Sequence, residues 1–267
     1  MNTIDPALRD PAWLWQQIRS EAAGLAAAEP VLASFYHVSL LNHASLASAL
    51  AFLIAGSLGD RDVSAMLLRE VGMEAYAAEP AIVTAAAADS LAHYDRDPAC
   101  KHYSMPLLYF KGFQAVQAYR VAHWLWHRQR HALALFLQHR IASVFDIDIH
   151  PAAEIGPGLM VDHGTGVVIG ATAVLGANVS MLHSVTLGGS GTQMERRHPR
   201  VGDGVLIASG AKLLGPIDIG NGAKIGAGSV VLDDVPPFST VAGVPARQVG
   251  KPHASTPALD MDQRFGN

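Results

Sequence analysis

A chain of 267 residues with half of them apolar and 16% charged can bury a substantial core, which excludes an intrinsically disordered polymer. Its 19 Lys+Arg against 23 Asp+Glu leave a formal charge of −4 with no basic run, so the electrostatic footprint of a nucleic-acid binder is missing. The single cysteine, Cys100, excludes an intrachain disulfide and any zinc-finger spacing.

The opening Met1-Asn2-Thr3-Ile4-Asp5 lacks the basic and then apolar order of a secretory signal. Val31 to Gly59 contains no Asp, Glu, Lys or Arg, but His37, Asn42, His43 and several serines interrupt it. A spanning helix needs about 20 predominantly apolar residues, so this stretch reads as a buried core helix pair. A soluble, cytoplasmic protein is expected. Glu29-Pro30, Glu79-Pro80 and Asp97-Pro98 place prolines where helices stop or begin. Apolar residues recurring from Tyr109 through Leu135 predict helices with a wide buried face. Six to eight helices are expected between Pro11 and about Ser143. His123, His127 and His131 recur every four residues, which predicts one helix face used in a helix–helix contact rather than as a metal stripe. Trp13, Trp15, Phe35 and Tyr36 are expected in the core or in packing between subunits.

Glycine then divides the chain, for 19 of its 25 glycines lie between Gly156 and Gly250. Aliphatic residues stand six apart at Ile149, Ile155 and Val161 and, after a two-residue slip, at Ile169, Leu175, Met181 and Leu187. After an insertion the register resumes at Val201, Ile207, Leu213, Ile219, Ile225 and Val231, and glycine often follows the aliphatic position. This pattern predicts a parallel β-helix of hexapeptide repeats. The aliphatic side chains stack inward, and glycine serves at corners where a Cβ would crowd. At three hexads per coil, the thirteen hexads predict a little over four coils. The expected fold class is α+β, with a helical domain over 1–145, a β-helix over 146–250 and a C-terminal tail over 251–267.

Three polar clusters interrupt the repeats: Phe145 to Pro151, Val161 to Gly166, and the insertion Gln193 to Arg200. They supply parts for acyl transfer to a hydroxyl. An alcohol needs its proton removed during attack, and a neutral imidazole backed by a carboxylate suits that work. His163 and Asp148 are 15 residues apart, near one coil, so a coil can place them side by side. The same residues also fit a solvated histidine and a helix-terminating aspartate.

Asp-Ile-His-Pro-Ala-Ala (148–153), Asp-His-Gly-Thr-Gly (162–166), Val-Thr-Leu-Gly-Gly (185–189), Arg-His-Pro (197–199) and Gly-Val-Pro-Ala-Arg (243–247) resemble bacterial serine O-acetyltransferases. So do Asp-Pro-Ala (97–99) and Pro-Leu-Leu-Tyr-Phe-Lys-Gly-Phe-Gln-Ala (106–115) in the helical half. The resemblance implies a left-handed β-helix that trimerises, sites in grooves between subunits, and helical domains joining two trimers. It implies acetyl transfer from acetyl-CoA to the L-serine hydroxyl, giving O-acetylserine and CoA as the first step of cysteine biosynthesis, with L-cysteine as inhibitor. No metal is called for. By motif match His163 is the general base and Asp148 its orienting partner. Asp97 and Asp162 bind the substrate amino group, Arg197 its carboxylate, and His198 completes the pocket. Acetyl-CoA is expected near Gly189, Ser209 and Ala227, with Lys224 and Arg247 towards its phosphates or adenine. The family docks O-acetylserine sulfhydrylase through a tail ending in isoleucine. This chain ends Arg264-Phe265-Gly266-Asn267, which puts docking by that route in question.

Three other readings compete. A sugar or homoserine O-acetyltransferase shares the repeats, but Asp97, Asp162 and Arg197 suit a zwitterion, and one methylene separates serine from homoserine by about 1–3 kcal/mol. A zinc hydratase would need His163, His183 and His198 to converge, and no close histidine pair is expected within the coils. A non-enzymatic scaffold would act through the tail.

Overall fold

The computed structural model describes residues 10–191 and 195–264. The expectations placed on Met1 to Asp5, on Gln193 and Met194, and on Phe265 to Asn267 lie outside the described residues. The helical half runs α1 (Pro11–Ala28), α2 (Ala33–Tyr36), α3 (Leu46–Leu58), α4 (Ala65–Ala78), α5 (Ala81–Arg96), α6 (Met105–Tyr109), α7 (Lys111–His127) and α8 (His131–Phe145). A short 3-10 turn at Pro30–Leu32 and a π turn at His37–Leu41 flank α2. Their ends follow local chemistry. Asp10 caps α1 through Ala12 N at 3.0 Å, with Pro11 opening the helix. α5 stops at Asp97 in an extended conformation, as a residue before proline prefers.

Two expectations change here. α7 closes at His127 and α8 opens at His131, so the three histidines do not share one helix. His123 and His127 meet edge to face at 4.4 Å, while His131 stacks on Trp126 at 4.2 Å. The uncharged stretch is core in α3, where Leu46, Leu50, Ile54 and Leu58 are buried, but Val31, Leu32, Phe35 and Val38 before it are exposed. Trp15 and Tyr36 are buried as well. Among the described residues no single helix is long and apolar enough to cross a membrane, although the pair Pro30–Leu41 and Leu46–Leu58, bent by 117°, passes on length and composition.

The second half is a parallel β-solenoid of about five turns built on three sheets. The first sheet is β1 (Ile147–Ile149), β4 (Val167–Ile169), β7 (Thr186–Gly188), β10 (Lys212–Leu214) and β13 (Val230–Val231). The second is β2 (Glu154–Ile155), β5 (Val174–Leu175), β8 (Arg200–Val201) and β11 (Asp218–Ile219). The third is β3 (Met160–Val161), β6 (Ser180–Met181), β9 (Leu206–Ile207), β12 (Lys224–Ile225) and β14 (Thr240–Gly243), with β15 (Ala246–Gly250) added antiparallel. Every aliphatic residue of the hexad register lies in its own strand from β1 to β13. They stack in columns, as in Ile149 on Ile169 on Leu187 on Leu213 on Val231. Each buried aliphatic side chain contributes about 1.5–3 kcal/mol, and the column makes neighbouring coils interdependent.

The sequence stops short of the fifth coil. Val235 bridges to Ile219, and Val241 in β14 stacks on Ile225. Pro236 and Pro237 break the six-residue register there. The glycines after the aliphatic positions stand where a Cβ would crowd, as expected, and the crowding comes from the neighbouring coil. Their φ values lie outside the left-handed region, and the next coil is what excludes a side chain. A Cβ on Gly176 would sit 2.2 Å from Asp203 Oδ1.

The two halves share one buried cluster, from Leu14 through Phe113, Ile141, Phe145 and Ile147 to Val241. The tail folds back through α9 (Pro257–Asp260), whose Ala258 carbonyl accepts from Ser180 Oγ at 2.8 Å.

Candidate active site

Site residues collect at two corners of the solenoid. The corner between the third and first sheets, at residues 162–166, is longer than its counterparts above, and the slip in the hexad count marks it. His163 adopts φ +57°, with Gly164 at +75° and Gly166 at +71°. Histidine is among the residues that tolerate this region. Gly166 N donates to Asp146 O at 2.8 Å, and Lys111 Nζ donates to Thr165 Oγ1. α7 begins hard against this corner, for a Cβ on Gly112 would lie 2.1 Å from Val161 O. Only glycine allows that approach.

Between the corner, the end of α5 and the start of α7 lies a cleft of about 370 Å³ lined by Asp97, Tyr109, Lys111, Asp162 and His163, with His93 at its inner wall. Asp97 Oδ1 accepts from Ala99 N at 2.8 Å, which fixes the carboxylate after α5. His163 Nε2 is 4.0 Å from Asp162 Oδ1, and its side chain is 76% exposed. The His163 and His183 rings are 6.1 Å apart. A close histidine pair does therefore occur in the coils, contrary to the expectation, because the corners of successive coils stack. Among the described residues no group of three or more His, Cys, Asp or Glu could hold a metal ion. His93 is buried, and the loss of water pushes its pKa down to about 3, with Arg96 adding to the shift. Its ring stays neutral.

The corner between the first and second sheets carries the other candidates. His198 is buried against Thr172: Thr172 N donates to its Nδ1 at 3.2 Å, and the Thr172 hydroxyl lies 2.8 Å from the same atom. The backbone N–H groups of Arg197 and His198 donate to Thr172 Oγ1. Nδ1 is thus the acceptor, and Nε2 carries the proton. The ring covers Gly170, where a Cβ would come within 2.0 Å of Nε2. Burial, then Arg197 and His150, lower the His198 pKa. His150 is also shifted down by burial, with Asp148 opposing and Arg197 assisting. Its Nδ1 accepts from Ala152 N at 3.0 Å, and its ring meets Trp126 edge on at 5.1 Å.

Within one chain, Asp97, Asp162 and His163 come together, and Asp148, Arg197 and His198 gather with His150. Among the described residues no hydrogen bond or ion pair joins the two groups. Asp148 Oδ1 accepts from Gln138 Nε2 at 2.7 Å, and the carboxylate beside His163 is that of Asp162. β1 points Asp148 out of the first sheet, while His163 stands on the corner that leads into β4. The cofactor candidates divide the same way. Ser209 and Ala227 continue the His163 corner, where Gly210 N donates to His183 O and Gly228 N to Ser209 O. Gly189 sits under His198 and Arg197. Arg247 is exposed on β15, with Asp233 Oδ2 at 3.5 Å. Lys224 is buried, and its Nζ donates to Arg264 O at 2.6 Å. Asp262 and Asp260 lie near it, so within the chain its ammonium group faces the tail. Sequence reasoning missed His150, Thr172, Lys111 and Gln138 as residues of the site; His150 was visible inside the Asp-Ile-His-Pro motif.

A β-solenoid of six-residue repeats with an acid–imidazole cleft on one corner defines a hexapeptide-repeat transferase. The model for the bacterial transferase hexapeptide, six repeats, matches residues 198–233, and that for the serine acetyltransferase N-terminal region matches 14–118. The serine acetyltransferase of Salmonella typhimurium is 56% identical over 252 residues, covering 94% of this chain and 92% of that protein. Serine acetyltransferase from Neisseria gonorrhoeae in complex with serine superposes with a TM-score of 0.86 at 53% identity, covering 92% of this chain and 98% of that one. Two further solved serine acetyltransferases, each 52% identical, were crystallised with cysteine (TM-score 0.93, covering 94% of this chain and 98% of that one) and with CoA (TM-score 0.85, covering 88% and 98%). The chain belongs to the serine acetyltransferase family and is an acyltransferase.

Proposed function

We propose that the chain transfers the acetyl group of acetyl-CoA to the hydroxyl of L-serine, at sites each assembled from two subunits. The observation that carries this reading is the cleft joining Asp97, Asp162 and His163 at one corner, with a matching cation and carboxylate, Arg197 and Asp148, at another. One subunit offers two carboxylates for an ammonium group and an imidazole for the hydroxyl. Its neighbour offers Arg197 for the carboxylate, His198 Nε2–H as a donor, and Asp148 to orient the His163 ring. A trimer closes this arrangement, since a head-to-tail contact repeated by a three-fold rotation presents each corner to the other. Ser209 and Ala227 from one subunit and Gly189 from the next then border one groove for CoA. Relatives crystallised with serine and with CoA support both ligand classes.

The steps follow from these positions. His163 removes the hydroxyl proton as the oxygen attacks the thioester carbonyl carbon. The tetrahedral oxyanion collapses, the carbon–sulfur bond breaks, and the CoA thiolate takes the proton back from the imidazolium. Holding both substrates in one groove supplies the rest of the rate gain. Free L-cysteine, with the same ammonium and carboxylate as serine, competes for the same pocket; a relative crystallised with cysteine supports this.

The test is thiol release from acetyl-CoA with serine. H163A is expected to lower turnover by about 10²–10⁴-fold. Arg197→Ala is expected to abolish turnover at low serine. Co-refolding equal amounts of the two variants regenerates about one quarter of the wild-type sites if each site takes one residue from each of two adjacent subunits. No recovery would place both residues in one subunit's site and remove the shared-site reading.

A further inference from the structure

We infer that Gln138 is a positioning residue for acetyl transfer, holding the Asp148 carboxylate in the orientation that the His163 imidazole of the neighbouring subunit requires. This rests on the two-subunit site proposed above.

Gln138 lies in the middle of α8, between the buried Leu137 and Ile141 and the exposed His139. α8 ends at Phe145, and Asp146 at φ +57° turns the chain directly into β1. This tight reversal lays β1 along α8 and brings residues ten apart in sequence into contact. Ile147 and Ile149 point into the coil with almost no exposure, so the strand alternation sends Asp148 outward towards α8. There Gln138 Nε2 stands 2.7 Å from Asp148 Oδ1. An ionised carboxylate only accepts, so the amide must present its NH2 group, and its orientation follows from chemistry.

The consequence concerns the second oxygen. A carboxylate free to rotate about its Cβ–Cγ bond offers an imidazole no fixed acceptor. With Oδ1 tied to an amide that carries no charge and does not titrate, Oδ2 is left in one direction for an N–H from outside the chain. His150, the nearby imidazole, cannot substitute for Gln138 through Nδ1, because that atom already accepts from Ala152 N. Partners that orient an imidazole or its carboxylate in this way typically change activity by about 10–100-fold on removal.

The experiment is a double-mutant cycle on the full chain, with Gln138→Met, Asp148→Asn and the pair, read as kcat, KM for serine, KM for acetyl-CoA and melting temperature. Q138M is expected to lower kcat by about 10–100-fold with both KM values within about twofold. In the D148N background the same change is expected to cost nothing more, because Gln138 acts through that carboxylate. A kcat for Q138M equal to wild type, or an equal loss with and without Asp148, overturns the positioning role. A lower melting temperature with unchanged kcat also overturns it, assigning Gln138 to stability alone. A wild-type enzyme that does not turn over serine, or D148N at full kcat, overturns the underlying functional reading instead.

Discussion

His93 gives the molecule a measurable acid sensitivity. It forms the inner wall of the cleft beside the last turn of α5, with Phe110 and Phe113 at ring distances of 5.5 and 6.1 Å. Its Nε2 is buried without a hydrogen-bond partner, and its pKa is pushed down from 6.5 to about 3, chiefly by burial. A folded-state pKa below the unfolded value means that the unfolded chain binds the proton first. Stability from this residue is therefore intact above about pH 6.5 and declines as pH falls, levelling near pH 3. Between pH 7 and pH 5 the loss amounts to about 2 kcal/mol. Urea unfolding of wild type and His93→Leu, at one protein concentration and several pH values, isolates this share. His43, His123, His150 and His198 are also shifted down by burial, so they destabilise both proteins alike. Wild type minus H93L should fall by about 2 kcal/mol from pH 7 to pH 5. At pH 7 the leucine variant should be at least as stable, since an orphaned buried donor or acceptor costs about 1–3 kcal/mol. Parallel pH profiles for the two proteins would refute the reasoning.

Gly170→Ala places a methyl 2.0 Å from His198 Nε2, so the ring must leave Thr172. KM for serine is expected to rise about tenfold, equivalent to about 1.4 kcal/mol, while size-exclusion chromatography shows the assembly unchanged. Lys224→Met removes the donor that holds Arg264 O. Faster amide exchange across residues 251–264 is expected with KM for acetyl-CoA unchanged, and a tenfold rise in that KM would instead assign Lys224 to the cofactor groove.

What the sequence made legible depended on how local the cause was. The inward column from Ile149 to Val231 shows in a single chain because each coil repeats the same requirement. The fifth coil does not, because Val235 and Val241 reach their places through Pro236 and Pro237, which follow no repeat. Asp97, Asp162 and His163 stand in short motifs, and the cleft does gather them. Their separation from Asp148 and Arg197 was invisible, because the corner a residue occupies depends on the two-residue slip before Ile169. Lys224 sits in the hexad register like its neighbours, and nothing local reveals that the tail returns forty residues later to cover it. Gln138 and Lys111 belong to helices whose docking on the first coil is purely tertiary.

That docking explains why the candidate site sits at the base of the solenoid rather than anywhere along it. Every coil has the same three corners, yet the longer corner at 162–166 is the one against which helices press. α5 delivers Asp97 at its end and α7 delivers Lys111 at its start with Gly112 jammed on Val161, while the middle of α8 sets Gln138 against Asp148 in β1. All three are fixed by the core that runs unbroken from Phe113 and Ile141 into Ile147 and Val161. A bare solenoid could stack His163 over His183 and still lack an ammonium pocket. A bare helical bundle would hold Asp97 with nothing opposite. The repeats supply a rigid ruler, the helices break its symmetry at one coil, and under the proposed two-subunit reading a neighbour presenting Arg197 and Asp148 would meet a cleft already built on one side.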